Sequence, residues 1–560
     1  MATPDFVSRR RLLAGTGAAG LAAAAGFAWW RQLRAPGDAP FTPDAAFPNP
    51  LRIPGADGLY GLFDVTGTFA IAAKSVRQDI LPGRTTDMLA YEVEHQGTRL
   101  FNPLIRLHSG ARIHTKFWNG LEESSIIHWH GLIVDSNNDG HPHYAIGGGQ
   151  IYEYDFVVPN RAAMYWYHPH PHHLTGKQVY LGLGGLFMVE DDEELALQRA
   201  LDLRHGVTDI PLVLHDRRFD ADGQLAFVRG AGELAHGVLG TQVLVNWTPA
   251  PYLEAATRPY RFRILNASNA RIYQLAFRSG GHTLEFQLIG NDGGLLEQAH
   301  TVAAAFLAPA ERIDVVLDLR QAQTGDVITL ATLAFDPMAH TAGRPAAAPN
   351  KPVPTAPHDA HAAHAARAPH QPMATADRTD HHPTPDIGSA LDLMHIHVRH
   401  KARYDRALPA KLSRIDPIAA NCQSPRVIAL DHVKMVWRIN GHTYQHESTP
   451  ITVKRGATEV WNIQNAQASM PHPFHIHGFQ FQILERRGSP GQQIALAVND
   501  KGLAASDLGW KDTVLVWPGE TVCIVIDFTH PFVGDQVYML HCHNLEHEDQ
   551  GMMLNLKVEA

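Results

Sequence analysis

Hydrophobic and polar residues alternate in short runs along most of this chain. LIRLHSGARIHTKFW, QIYEYDFVVP, YRFRILNAS, ERIDVVLDL, EVWNIQNA and TVCIVIDF set apolar side chains largely on alternate positions, and Gly, Pro, Asn or Asp punctuates the runs. A period of two sends successive side chains to opposite faces of an extended strand. The pattern therefore predicts an all-β chain built of sandwiches or barrels. Helical periodicity is confined to DDEELALQRAL, Asp191 to Leu201.

The strands repeat. PLIRLHSGARIHTKFWNGLEESSIIHWHG, from Pro103, aligns with PITVKRGATEVWNIQNAQASMPHPFHIHG, from Pro450: strand, Gly turn, strand, Asn, then His-x-His-Gly. A second pair follows, YWYHPHPHHLTGKQVYLGLGGLFMVE from Tyr165 and VYMLHCHNLEHEDQGMMLNLKVE from Val537. The first and last domains thus read as copies of one β unit. PYRFRILNASNARIYQLAF is a middle copy with the same strand grammar and no His-x-His, expected to keep the fold without a metal. The resulting division is signal and linker 1–45, first domain 46–195, second 196–405, linker 406–424 and third 425–560.

One segment breaks the alternation. Residues 336–390 are rich in Pro, Ala and His with almost no large apolar side chain. Such a stretch buries too little surface to offset its ordering entropy, so a disordered insertion is expected. Its flanks, VITLATLAF and LDLMHIHVRH, read as neighbouring strands, which makes it a swollen hairpin loop of the second domain.

Composition narrows the chemistry. The 560 residues carry a formal net charge of -9, which gives no basic stripe for nucleic acid. Only three cysteines occur, Cys422, Cys523 and Cys542, so a disulfide framework is excluded and at most one bridge is possible. Histidine, at 36 positions, is abundant, and neutral imidazole is the commonest metal ligand.

At the N-terminus Ser8, Arg9, Arg10 and Arg11 precede an apolar run from Leu12 to Trp30. This resembles a twin-arginine export signal, implying a periplasmic or otherwise exported protein. The alternative is a retained anchor with Trp29, Trp30 and Arg31 at a bilayer interface. No other segment reads as membrane-spanning, so the mature protein has no stable span unless the signal is kept.

At this histidine content chance alone gives on the order of two His-x-His triplets. HPH at His141 and HIH at His395 fit that bland reading. His128-Trp129-His130, His168-Pro169-His170, His475-Ile476-His477 and His541-Cys542-His543 differ, because each recurs at a matching place in a repeated domain. On a strand His541 and His543 face one way and Cys542 the other, so one strand serves two metal sites. Cys542 needs partners on its own side, and His472, His547 and Met552 are available. A thiolate with two imidazoles and a weak axial methionine is the ligand set of a blue-copper electron-transfer site. Structural zinc sites use tighter Cys/His knuckles, absent here. The other eight histidines imply a cluster where the first domain meets the last.

HWHG, HPH, HPFHIHG and HCHNLEHEDQGMM together resemble the multicopper oxidases, most closely bacterial laccases and periplasmic copper-efflux oxidases, over nearly the whole chain after the signal. The resemblance implies three cupredoxin-like, Greek-key β-sandwich domains and four copper ions. It assigns His472, Cys542, His547 and Met552 to type 1 copper and His128 and His475 to type 2 copper. His130, His168 and His543 would hold one type 3 copper, and His170, His477 and His541 the other. Dioxygen would be reduced to two waters after four one-electron oxidations of a small reductant. The Cys542 backbone would link the two sites. Asp139 and Glu548 match the family's carboxylates near the cluster and are expected to relay protons. The bland alternatives are a turn cap for Asp139 and a solvated acid for Glu548.

Among weaker candidates, His172 and His173 read as spare histidines, Met553 as core, Cys523 as a buried strand residue and Cys422 as an unpaired bystander. Met470 stands just before His472, as in the copper-efflux subgroup, but Ala468 occupies the place of that subgroup's acidic ligand. The insertion offers His358, His361, His364, His370, His381 and His382, with Met338, Met373 and Met394 nearby. Imidazole suits Cu(II), zinc or nickel as well as Cu(I), so the tract is a candidate site for recruiting metal. The expected enzyme is an exported, monomeric multicopper oxidase acting on Cu(I) first and Fe(II) second, with phenol oxidation as a further activity and a role in copper tolerance. A laccase proper is the alternative enzyme. A copper-sequestering protein, or a scaffold that has lost its metals, is the alternative of another class, and a copper nitrite reductase is disfavoured by the eight cluster histidines.

Overall fold

The computed structural model describes residues 42–340 and 384–560, apart from 56, 57, 228, 229 and 435. The export signal and His358, His361, His364, His370, His381 and His382 lie outside the described residues, as does most of the insertion.

The described strands form six sheets that pair into three sandwiches. Residues 58–190 supply a six-stranded and a five-stranded sheet, and residues 426–559 supply two five-stranded sheets. Between them lie two seven-stranded sheets, built from residues 209–400 except that Asn49–Pro50 supplies a parallel edge strand to one of them. Each sandwich encloses its own apolar core. Trp129, Tyr154 and Phe187 lie in the first, Phe262, Tyr273 and Leu330 in the middle one, and Trp461, Phe474 and Ile524 in the last. Shared clusters around Trp166 and Trp247, and around Phe306 and Trp517, seal the middle sandwich to its neighbours.

The expected helix spans Asp192–Leu201, where Asp191 accepts a capping hydrogen bond from the Glu194 amide at 2.9 Å. The flanks of the insertion pair antiparallel, Val327–Thr332 against Leu391–His400, with Val327 opposite His397. Among the described residues no helix is long and apolar enough to cross a membrane.

Strand register positions the histidines. Ile127–His130 lies beside Ala163–Pro169 with His128 opposite His168. His472–Ile476 lies between Thr513–Val516 and Gln536–Cys542, so His475 faces Thr513 on one side and His541 on the other. The strand Gln536–Cys542 ends at the cysteine, Leu545–Asp549 follows as a short helix, and Met553–Glu559 is the final strand.

Candidate metal centres

Cys542 lies at the end of its strand with its side chain turned into the last sandwich. Its Sγ is 3.3 Å from His472 Nδ1 and 3.6 Å from His547 Nδ1. The Asn544 amide donates to the same sulfur at 3.4 Å, a bond that favours negative charge there. Burial pushes the Cys542 thiol up, and a bound cation would displace the thiol proton. Met552 is buried in the same core as Cys542, and its carbonyl accepts from the Cys542 amide at 3.1 Å. Met553 instead packs with Met539 and Tyr444.

The outer edges of both imidazoles are occupied. His472 Nε2 meets Ser469 Oγ at 2.9 Å, and His547 Nε2 meets the Ala235 carbonyl at 3.0 Å. The Trp437 ring lies over His547, with centroids 4.4 Å apart, and its Nε1 donates to the same Ala235 carbonyl at 3.0 Å. Ala235 belongs to Ala231–His236, a short helix reaching over from the middle sandwich.

On the opposite side of the Cys542 strand the eight remaining histidines converge, all buried. His477 Nε2 and His541 Nε2 approach to 3.0 Å, His170 Nε2 and His541 Nε2 to 3.4 Å, and His168 Nε2 and His130 Nδ1 to 3.4 Å. His128 Nε2, His475 Nε2 and both nitrogens of His543 are buried with no hydrogen-bond partner. Orphaned buried nitrogens are costly unless a ligand satisfies them, so the cage fits bound cations. Burial holds His128, His130, His475, His477 and His543 well below the ordinary imidazole value, leaving lone pairs available.

Two aspartates orient the rings from opposite sides. The Asp139 carbonyl accepts from His128 Nδ1 at 2.7 Å, and Asp139 Oδ2 accepts from His477 Nδ1 at 2.7 Å. Asp512 mirrors this arrangement: its carbonyl accepts from His475 Nδ1 at 2.8 Å, and its Oδ1 lies 3.1 Å from His130 Nε2. Such contacts fix the tautomer and leave the opposite nitrogen to the metal. Asp139 was legible in the sequence, and Asp512 was not. The available signal was a charged Lys-Asp pair directly before the apolar strand TVLV.

Glu548 reaches the cage from the short helix, 3.5 Å from His170 Nε2 and 3.2 Å from His541 Nδ1. Burial pushes its carboxyl up, but His170 and His541 outweigh that and hold it at about 2. Asp139 moves the other way: burial, reinforced by Asp135, lifts it well above the carboxylate range. The same helix ties the sandwiches together. Glu546 accepts from Asn269 Nδ2 at 2.8 Å and from the Val238 amide at 2.9 Å, and Asp549 accepts from the Thr175 and Gly176 amides at 2.9 and 3.1 Å.

The remaining candidates make other contacts. The Met470 side chain is buried in the last core, in the same cluster as Cys542 and Met552. His173 donates to the Asp549 carbonyl at 2.6 Å and stacks on His172 at 3.6 Å. His395 stacks on Phe47 in the middle sandwich. Cys523 is a buried strand residue and Cys422 is exposed.

A lone thiolate between two imidazoles, one strand away from a closed eight-imidazole cage, defines a copper oxidoreductase on a cupredoxin-like scaffold. Two multicopper oxidase family models match residues 87–194 and 419–560. The laccase of Bacillus subtilis (strain 168) is 30% identical over 465 residues, 77% of this chain and 79% of that protein. Among solved structures, the McoA multicopper oxidase of the hyperthermophile Aquifex aeolicus superimposes with a TM-score of 0.76 at 38% identity, covering 91% of this chain and 99% of that one. The multicopper oxidase from Campylobacter jejuni, described as a metallo-oxidase, gives 0.67 at 25% identity, covering 93% and 99%. The chain belongs to the multicopper oxidase family. It is an oxidoreductase that uses dioxygen and a reductant, with type 1, type 2 and type 3 copper as cofactors.

Proposed function

We propose that His472, Cys542, His547 and Met552 hold type 1 copper, His128 and His475 type 2 copper, and the two sets His130, His168, His543 and His170, His477, His541 the type 3 pair. The observation that carries this reading is Cys542 Sγ set 3.3 and 3.6 Å from two imidazoles while its chain neighbours His541 and His543 enter the cage. When bound, the copper ions supply the one-electron steps between reductant and dioxygen.

The chain's own residues supply the rest. The Cys542 backbone gives a short covalent path from the sulfur to His541 and His543. Asp139 and Asp512 hold the ring orientations through their carbonyl and carboxylate oxygens. Asp139 and Glu548, each at hydrogen-bond or near-contact range of cage imidazoles, pass the protons that turn dioxygen into water. The buried cage excludes bulk water from the reacting atoms.

The reductants are metal ions, Cu(I) first and Fe(II) second, with phenols as a further class and copper tolerance as the role. The covered edges of His547 and His472 support this, because a bulky aromatic meets Trp437 and the Ala235 carbonyl before either ring. The metallo-oxidase among the structural neighbours is consistent with it. The laccase of Bacillus subtilis favours phenols as the second reading. The protein is exported by the twin-arginine route and acts as a monomer, divided at the boundaries given above, with the tract 336–390 recruiting copper.

Copper-loaded protein should show intense blue thiolate-to-copper absorption and consume oxygen with a reductant. A colourless protein without oxygen uptake overturns the oxidase assignment. Comparing Cu(I), Fe(II) and phenol turnover with and without residues 336–390 tests the substrate. Dominant phenol turnover, unaffected by the deletion, rejects the metal-ion preference.

A further inference from the structure

We propose that His143 and His446 form a separate metal site on the outer rim of the seam between the first and last sandwiches, taking a borderline cation such as Cu(II). The two residues stand 303 positions apart, yet His143 Nδ1 lies 2.9 Å from His446 Nε2, with the rings stacked at 4.5 Å. Both side chains are exposed. Two nitrogens at right angles around one ion, each about 2.0 Å from it, lie about 2.8 Å apart. The observed spacing is that of adjacent ligands in a tetragonal copper(II) site. In this structure His143 Nδ1–H donates to His446 Nε2, and a shared ion would take the place of that proton once the stacked rings turn apart.

The pair is held in place by its surroundings. Glu447 Oε1 meets His446 Nδ1 at 2.9 Å, which puts the proton on Nδ1 and leaves Nε2 as the ligand nitrogen. His143 sits on the turn Pro142–Tyr144, and its amide donates to His141 Nδ1 at 3.0 Å. His141 Nε2 meets Asn555 Oδ1 at 2.9 Å, and Asn555 Nδ2 donates to the carbonyls of His446 and Ser448 at 3.0 and 2.9 Å. One asparagine therefore grips both loops and brings the imidazoles together.

His172 adds an independent sign of a ligand. Its Nε2 is buried with no hydrogen-bond partner, and its ring lies 4.8 Å from that of Tyr444, two positions before His446. The HPH at His141, expected from sequence to be a chance triplet, thus contributes one ring to the scaffold and one to the site. An ion here ties a loop of the first sandwich to a loop of the last, across the seam that contains the eight-histidine cage.

The test uses full-length, copper-loaded protein freed of excess metal and dialysed against Cu(II). The double variant His143→Ala/His446→Ala should bind about one Cu(II) fewer than wild type. It should also lack an EPR signal with coupling to two imidazole nitrogens, while blue absorption and oxygen uptake stay unchanged. His282→Ala, an exposed histidine of the middle sandwich, should bind as wild type does. Equal Cu(II) uptake with identical EPR spectra overturns the site. So does a double variant that loses its blue absorption, since the two residues would then serve the resident centres.

Discussion

Arg312 grips Asp512 with both terminal nitrogens, at 2.8 and 2.6 Å, and Asp512 in turn lies 3.1 Å from His130 Nε2. The three residues come from the middle, last and first sandwiches. The sandwich that supplies no imidazole to the cage therefore orients it, through a fully buried ion pair. Removing one partner of such a pair leaves an uncompensated charge and costs about 3–5 kcal/mol. Arg312→Met should lower the unfolding temperature and reduce copper occupancy of the cage, measured by calorimetry and metal analysis. Asp512→Asn, which keeps an acceptor near His130, should cost less stability. An Arg312→Met protein that unfolds and loads copper as wild type does would remove the pair from this role.

Cys542 is the sulfur of the proposed type 1 site, and the cage draws none of its imidazole nitrogens from it. Cys542→Ser should abolish the blue absorption and oxygen uptake while the cage keeps its copper, read by EPR and metal content. Loss of all copper in that variant would mean that the two centres do not form independently.

Trp437 and the Ala235 carbonyl cover the His547 edge. Trp437→Ala should raise kcat/KM for a bulky phenol by about tenfold, equivalent to about 1.4 kcal/mol of relieved barrier, and change Cu(I) turnover much less. Equal changes for both substrates would argue against steric selection at this edge.

Acid stability should report on the middle sandwich. Glu194 is buried between Arg261 and Arg263, each 2.7 Å from its Oε1. Burial pushes its carboxyl up, but the two guanidinium groups outweigh that and hold it below its ordinary value of 4.5. The folded state therefore binds fewer protons than the unfolded state at low pH. The resulting stability is fully present above the unfolded carboxyl's pKa and is lost as pH falls through the folded one. Glu194→Gln should flatten the acid limb of the stability profile, followed by urea unfolding at successive pH values. A profile parallel to wild type would assign the acid sensitivity elsewhere.

Much of this was legible in the chain because it depends on neighbours in sequence. The alternation in TVCIVIDF announces the strand Thr521–Asp527, and Asp191 with DEELALQRAL announces the helix Asp192–Leu201. The spacing in His541-Cys542-His543 separates sulfur from imidazoles on a strand whatever surrounds it. The helix Leu545–Asp549 was not legible, since its five residues are too few for a period to register. Yet that helix is what aims His547 at the sulfur and Glu548 at the cage, from adjacent positions about 100° apart around its axis.

The sequence by itself determined the strand grammar, the repeat, the candidate sulfur and imidazole positions and their split to the two faces of one strand. Backbone geometry sets these locally. The tertiary structure alone decided which ring nitrogen faces inward, that Asp512 and Arg312 stand behind His130, that Ala235 closes the His547 edge, and that His143 meets His446. Those groups are hundreds of residues apart, and only the packing of three separate cores brings them within hydrogen-bond range.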